Sequence, residues 1–390
     1  MNQVQLLQPQ ELATRIDRIR RLMQAQGIDA LVINSFANIQ YLTGRVFNGY
    51  IVVSLTAPVR YFVQRPTGMG GDDVTHIRKP EDMAVDPVLA AAGTVGLELD
   101  LTSFSKITRL QNIVPHAAIA NASPVMREAR AVKTDAEVEL IRKSGIKQTY
   151  VYSRVPKMFR DGMTDLDLQV AIENLERIEG CLGQFRVSGD TMEIYMGNVI
   201  TGKNADVPTP YDFAMGGAGI NPSLPVGAAG EVILEGNSVM VDMNGNFTGY
   251  MTDMTRVFSL GQVSVLAAKA HECSRKICRE FERTARPGVA ARQLYEMAER
   301  TAKEAGLADY FMGHHQKAGF VGHGVGIDIN ELPVLSPRSR DMLQRGNVIA
   351  LEPKFVIPGT GAVGIENTYL ICDDHVECLT NAPEGIIAFE

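Results

Sequence analysis

Val239-Met240-Val241-Asp242-Met243-Asn244-Gly245-Asn246-Phe247-Thr248-Gly249-Tyr250-Met251-Thr252-Asp253-Met254-Thr255-Arg256 is an apolar stretch that pauses twice for an aspartate. Residues 239–243 read as a strand ending in a carboxylate. Asn246-Phe247-Thr248-Gly249 reads as a turn, and residues 249–256 as the returning strand. A turn centred between Phe247 and Thr248 sets Asp242 opposite Asp253. Cross-strand partners have Cβ atoms roughly 4.5–5.5 Å apart. Two carboxylates that close repel each other unless a cation lies between them. A pair of metal ions about 3.5–4 Å apart resolves that repulsion by using both groups as ligands.

Three later segments carry further donors. Gly322-His323-Gly324-Val325-Gly326 holds an imidazole between glycines, which let the backbone press it into a cleft. Ile349-Ala350-Leu351-Glu352-Pro353 ends an apolar strand in an acid, and Val363-Gly364-Ile365-Glu366-Asn367-Thr368 places an acid within another. Taken singly, Asp242 or Glu366 could equally face solvent at a sheet edge, and His323 could be a structural histidine in a glycine-rich loop. Together, four carboxylates and one imidazole in one region make an oxygen-rich donor set. It suits Mn2+, with Co2+, Fe2+ or Zn2+ as alternatives, and lacks the thiolates of a structural zinc site.

Outward from this region the chain divides. Residues 10–26 have helical apolar spacing (Leu12, Ile16, Ile19, Leu22, Met23) and stop at Gly27. Ala30-Leu31-Val32-Ile33, Tyr50-Ile51-Val52-Val53 and Val59-Arg60-Tyr61-Phe62-Val63 read as strands. This alternation predicts a small α/β domain over residues 1–125, closing at the turn-like Ala122-Ser123-Pro124. Thr134-Asp135-Ala136-Glu137 is a capping box that opens a long helix, and another helix starts near Thr164. Helices are expected over 264–284 and 290–304, with strands and loops over 181–262 and 318–390. Residues 126–390 are therefore predicted to form an α+β domain.

Composition narrows the functional classes. The 390 residues carry a formal charge of −7 with no long basic run, which argues against nucleic acid or an anionic membrane as partner. Five cysteines without a C-x-x-C pair disfavour a disulfide scaffold and fit a reducing, cytoplasmic setting. No apolar run is long enough to span a membrane, and residues 1–7 lack the pattern of a secretory signal.

Read together, Asp242-Met243-Asn244-Gly245, Asp253-Met254-Thr255-Arg256, Gly322-His323-Gly324-Val325-Gly326, Leu351-Glu352-Pro353 and Ile365-Glu366-Asn367-Thr368 resemble the creatinase, aminopeptidase P, prolidase and methionine aminopeptidase superfamily. Arg127 to Glu137 resembles the opening of that family's catalytic domain, and Gly27-Ile28-Asp29-Ala30-Leu31 with Tyr41-Leu42-Thr43-Gly44 its N-terminal domain. The resemblance implies a pita-bread catalytic domain, two divalent ions held by Asp242, Asp253, His323, Glu352 and Glu366, and Glu352 as proton acceptor. It also implies a homodimer and a small peptide or amide as substrate. Arg186, Tyr195, Asp212 and Asn330 are candidate substrate contacts.

The same pattern shows departures. Where peptidases of the family carry histidines beyond the ligand set, this chain has Val226, Gly319 and Asn330, and Gly364 stands in place of an arginine. Such histidines would stabilise the tetrahedral intermediate and protonate the leaving amine, and losing one oxyanion donor costs on the order of 10²–10³ in rate. His314 and His315 are possible substitutes, although adjacent histidines in Gly313-His314-His315-Gln316-Lys317 read more readily as an exposed loop. The expectation is a metal-dependent hydrolase of a small amide or peptide with weak Xaa-Pro activity. The alternatives are a creatinase-type C–N hydrolase, or a binding protein that keeps the fold without catalysis.

Overall fold

The computed structural model describes residues 3–189, 196–213 and 216–390, which form two compact units, Met1–Arg130 and Ala131–Glu390. In the first unit, the helix Pro9–Gln26 ends at Gly27, whose left-handed φ of 67° only glycine adopts at little cost. Its buried face is Ile16, Ile19 and Met23, as the apolar spacing predicts. The chain then enters the strand Ala30–Ile33, buried along its whole length. That strand is central in a six-stranded sheet with the order Val74–His76, Arg60–Arg65, Asn48–Ser54, Ala30–Ile33, Thr94–Leu97, Ala118–Asn121. Val32, Tyr50, Val52, Phe62, Val95 and Leu97 supply its core. The expected turn at residues 122–124 is instead the start of a helix, Ser123–Ala131. Proline in a helix's first turn forfeits no hydrogen bond, so Pro124 does not interrupt it.

The second unit opens with the helix Asp135–Arg154, capped by the reciprocal Thr134–Glu137 pair that the sequence signals. A second capping box, Thr164 with Asp167, opens the helix Asp165–Ile178. Val265–Thr284 and Ala291–Glu304 follow as the two further helices expected. Among the described residues, three sheets complete the unit. The strands Ile387–Ala388, Met251–Ser259, Ser238–Asn246 and Gly197–Thr201 lie in that order in one sheet. Glu331–Leu335, Gly322–Gly324, Val348–Leu351, Asn367–Ile371 and Val376–Cys378 form another, and Lys354–Ile357 pairs with Gly361–Gly364 as a third. Met240, Val257, Ile277, Phe281, Phe355, Val363 and Tyr369 share one buried core. Val151, Leu168, Val241, Met254 and Phe258 share another. The side chains of a strand alternate between its two faces, so Val241 and Met254 face the second of these cores, while Asp242 and Asp253 lie on the opposite face with Met240 and Val257.

Candidate metal and catalytic centre

The hairpin that decides the fold has a register different from the one expected. Asp242 lies opposite Thr255, and Asp253 opposite Asn244. The ladder continues to Asn246 paired with Met251, so the loop is the four residues 247–250. It is held by Gly249 at a φ of 88° and by the Gly249 N–H donating to Asn246 Oδ1 at 3.0 Å. The four-residue turn lies one position later than expected, so the strand pairing slips by two residues and the two aspartates move from a direct to a diagonal relation. They still share a face, because the shift is an even number of residues.

The glycines around His323 permit close strand approach, as anticipated. A Cβ at Gly322 would meet the Ala350 carbonyl oxygen at 2.6 Å, and one at Gly324 would meet that of Leu332 at 2.1 Å. His323 sits on the strand Gly322–Gly324, opposite Val334 on one side and Ala350 on the other. Its Nδ1 faces the Gly324 carbonyl oxygen at 3.1 Å, so that nitrogen carries the proton and donates. This fixes the ring with Nε2 toward Glu352 Oε1 at 3.4 Å and Asp253 Oδ2 at 3.9 Å.

Glu352 follows the strand Val348–Leu351 directly. Glu366 lies between Gly361–Gly364 and Asn367–Ile371, where Thr255 bridges to it through the backbone. The Thr255 hydroxyl donates to Glu366 Oε2 at 2.8 Å, while the buried Arg256 guanidinium donates to the Glu366 carbonyl oxygen, also at 2.8 Å. Thr368 holds Asp253 by accepting from its N–H and donating to its carbonyl oxygen, at 2.9 and 2.8 Å. The five residues expected to converge therefore do so.

A sixth residue, which the sequence reading did not single out, lies among them. Lys354 is the first residue of the strand Lys354–Ile357 and is fully buried. Its Nζ donates to Glu352 Oε2 at 2.7 Å, Asp242 Oδ2 at 2.8 Å and Glu366 Oε2 at 3.0 Å. The signal was present: a single cation opens the otherwise apolar run Lys354-Phe355-Val356-Ile357, two residues beyond the acid Glu352.

The charges sort accordingly. Burial opposes ionisation of Glu352, but Lys354 and His323 outweigh it and hold the carboxyl down to about 2. Burial pushes Glu366 up to about 8, with Lys354 opposing and the Glu352 and Asp242 charges adding to the rise. Burial, then the charges of Glu366 and Asp242, drives Asp253 well above the usual carboxylate range. Burial would lower the His323 pKa, yet its bond to Glu352 raises it. Glu352, the expected proton acceptor, is thus ionised in this arrangement, with Oε2 accepting from the Lys354 ammonium.

Asp253, His323 and Glu366 each present a ligand atom within 4.8 Å of the others. Glu366 Oε1 is buried with no hydrogen-bond partner among the described residues. An orphaned carboxylate oxygen beside an imidazole nitrogen fits one divalent ion. The expected bridged pair does not fit alongside Lys354, because its ammonium holds oxygens that the second ion needs.

The other candidates are placed as follows. Both polar atoms of the Asn330 amide are bonded to Ser188, accepting from its N–H at 2.8 Å and donating to its carbonyl oxygen at 2.6 Å. Asn330 thus clamps the 186–188 segment, whose Arg186 carbonyl oxygen also accepts from the Ile329 N–H at 2.8 Å. Asp212 Oδ1 accepts from the Gly319 N–H at 3.0 Å. Tyr195 lies outside the described residues. His314 and His315 form a second group with Asp206, both Nδ1 atoms lying on Asp206 Oδ2 at 2.9 and 2.8 Å.

A family model described as Metallopeptidase family M24 matches residues 139–373, and one described as the Creatinase/Prolidase N-terminal domain matches residues 15–132. The chain belongs to metallopeptidase family M24. It is thus a member of the creatinase, aminopeptidase P and prolidase superfamily, and its second unit is a pita-bread domain. The Xaa-Pro dipeptidase of Pyrococcus furiosus is 25% identical over 381 residues, which is 96% of this chain and 99% of the relative. The uncharacterized peptidase YqhT of Bacillus subtilis is 22% identical, covering 96% and 99%. Among solved structures, the Xaa-Pro dipeptidase from Bacillus anthracis has a TM-score of 0.81 at 20% identity, covering 97% of this chain and 99% of its own. The prolidase from Pyrococcus horikoshii OT3 has a TM-score of 0.76 at 21% identity, covering 95% and 98%. Membership of M24 implies divalent metal chemistry. No helix among the described residues is long and apolar enough to cross a membrane.

Proposed function

We propose that this M24 protein hydrolyses the amide bond of a small peptide or amino-acid derivative at the centre formed by Asp253, His323, Glu366, Glu352, Asp242 and Lys354. The observation that carries this reading is the convergence of acids and an imidazole around the unpartnered Glu366 Oε1 in a family of metallopeptidases. Asp253, His323 and Glu366 would hold one divalent ion, Mn2+ by the hardness of the donors, with Co2+, Fe2+ and Zn2+ as alternatives. When bound, that ion supplies Lewis-acid polarisation and a lowered pKa for water.

The chain's own residues do the rest. Lys354 neutralises Asp242 and Glu352, and so keeps the cluster from repelling itself apart. Nδ1 of His323 donates to the Gly324 carbonyl oxygen, which aims Nε2 at the acids. Glu352, ionised beside Lys354, 3.4 Å from His323 Nε2 and outside the three ligands, is assigned as the group that takes a proton from the attacking water and passes it to the leaving amine. Asn330 positions the 186–188 segment, and Arg186 and Asp212 remain the candidate contacts for the substrate's polar ends.

The names of the relatives favour an Xaa-Pro dipeptide as first substrate. The positions of Val226, Gly319 and Asn330, without the imidazoles of the family pattern, favour a different small amide with a better leaving group. A second copy of this chain is the expected partner. Mass-spectrometric turnover of a panel of Xaa-Pro dipeptides, other dipeptides and N-acyl amino acids tests the reading. Hydrolysis of a non-Xaa-Pro amide that is lost in Asp253→Asn supports it. A kcat/KM on Xaa-Pro dipeptides in the common range of about 10⁴–10⁸ M⁻¹s⁻¹ would show that the missing imidazoles are dispensable. No turnover of any amide would favour the binding-protein alternative.

A further inference from the structure

We infer that the Lys354 ammonium takes the place of one cation of a bridged metal pair, closing the Asp242 position to metal and limiting the centre to a single divalent ion at Asp253, His323 and Glu366. The single ion rests on the functional reading above; the exclusion at Asp242 does not.

The geometry is that of a built-in cation. An ammonium has three N–H donors and no acceptor. Lys354 directs one to each of Glu352, Asp242 and Glu366, at 2.7, 2.8 and 3.0 Å. Three carboxylate oxygens from three different segments thus surround one positive centre, as they would surround a metal. A metal–carboxylate bond is roughly 2.0–2.2 Å. An ion bound to the same oxygens would have to enter the void that Nζ fills, and would meet an unscreened positive charge there.

The ammonium cannot readily swing away. The Lys354 side chain is 2% exposed, so its charge has no water to turn to. Its backbone is fixed as well. Lys354 pairs with Gly364 across the two-stranded sheet, where a Cβ at Gly364 would lie 3.0 Å from Lys354 Cα and 2.6 Å from the Pro353 carbonyl oxygen. The chain is bare on the Gly364 side, where the family pattern places an arginine, and cationic on the facing strand. With every N–H engaged by a carboxylate, Lys354 has no free electron pair for attack on a carbonyl or for Schiff-base formation, so its role is electrostatic.

Divalent-ion stoichiometry separates this inference from the alternatives. Full-length protein, stripped of metal and dialysed, is titrated with Mn2+ by calorimetry and counted by electron paramagnetic resonance. The wild type is expected to take up no more than one equivalent, with an uncoupled six-line signal. Lys354→Gly, purified with Mn2+ present, is expected to take up one ion more than the wild type and to show exchange coupling between its two ions. Two coupled ions in the wild type would overturn the inference and make Lys354 a replacement for the missing arginine outside the metal pair. A folded Lys354→Gly protein that gains no ion would also overturn it. If that variant does not fold, the wild-type count decides alone. A wild-type count of zero would remove the ion from the proposed function, while leaving the exclusion at Asp242 supported.

Discussion

Replacing Lys354 by methionine keeps the length of the side chain and removes its charge. In metal-free protein the change leaves Asp242, Glu352 and Glu366 facing one another without the ammonium they share, with His323 3.4 Å from Glu352 alone. Removing one partner of a buried ion pair typically costs about 3–5 kcal/mol, because the remaining charge stays buried and unpaired. With a urea m-value of about 3 kcal/mol/M for a domain of this size, the midpoint of the second unit's unfolding should fall by about 1–2 M. The loss also has a direction in pH. Glu352 is held at about 2 in the folded protein, below its ordinary 4.5. Its stabilisation is therefore fully present above about pH 4.5 and is lost as the pH falls toward 2. The gap between wild type and Lys354→Met should be full at pH 7 and shrink below pH 4.5, where protons replace the ammonium. Urea unfolding followed by circular dichroism at pH 7 and pH 4 measures both. A loss under about 1 kcal/mol at pH 7 would mean that the ammonium does not neutralise these carboxylates, and the charge assignment would fail.

Glu366→Gln should stabilise the metal-free protein while abolishing ion binding. Glu366 titrates at about 8 when folded, so the wild type loses stability as the pH rises from about 4.5 to 8, and the variant's advantage should grow over that window in thermal melts. An advantage that is flat across the window would contradict the assignment. Glu176→Gln should act in the same direction at a site remote in function. Both oxygens of Glu176 are buried without a hydrogen-bond partner among the described residues, and burial, then Glu173, raises its pKa well above normal. Its gain should rise with pH above the ordinary carboxylate range by at most about 1.4 kcal/mol per unit; equal melting temperatures at pH 5 and 8 would refute it. Asn330→Ala should release residues 186–188, cost about 1–3 kcal/mol for the two lost bonds, and speed hydrogen exchange at the Ser188 and Ile329 amides. Unchanged exchange there would show that the clamp does not hold the segment.

Much of this molecule was legible because its local rules agree with its fold. The capping pairs at Thr134 and Thr164 and the glycine stop at Gly27 mark helix ends by backbone chemistry, and the helices run as those signals predict. The five acidic and imidazole positions were legible because each lies in or directly beside an apolar strand, where side-chain direction is fixed. The hairpin register was not. Its turn position depends on Asn246 accepting from the Gly249 N–H, a side-chain bond that the turn's composition allows but does not dictate. Lys354 was passed over because a lysine in a strand is read as snorkelling to solvent. Only the carboxylates of Asp242, Glu352 and Glu366 gathered around it reveal that its head points inward. Ser123-Pro124 misled in the opposite sense, since the same dipeptide opens a helix as readily as it makes a turn.

The most direct test of the account is turnover of the best substrate from the amide panel as Mn2+ is added, in known equivalents, to stripped protein. The account predicts no turnover without metal, a linear rise, and a plateau at one equivalent per chain, all absent in Asp253→Asn. Full activity after chelation, or a plateau only at two equivalents, would contradict a single-ion centre completed by Lys354.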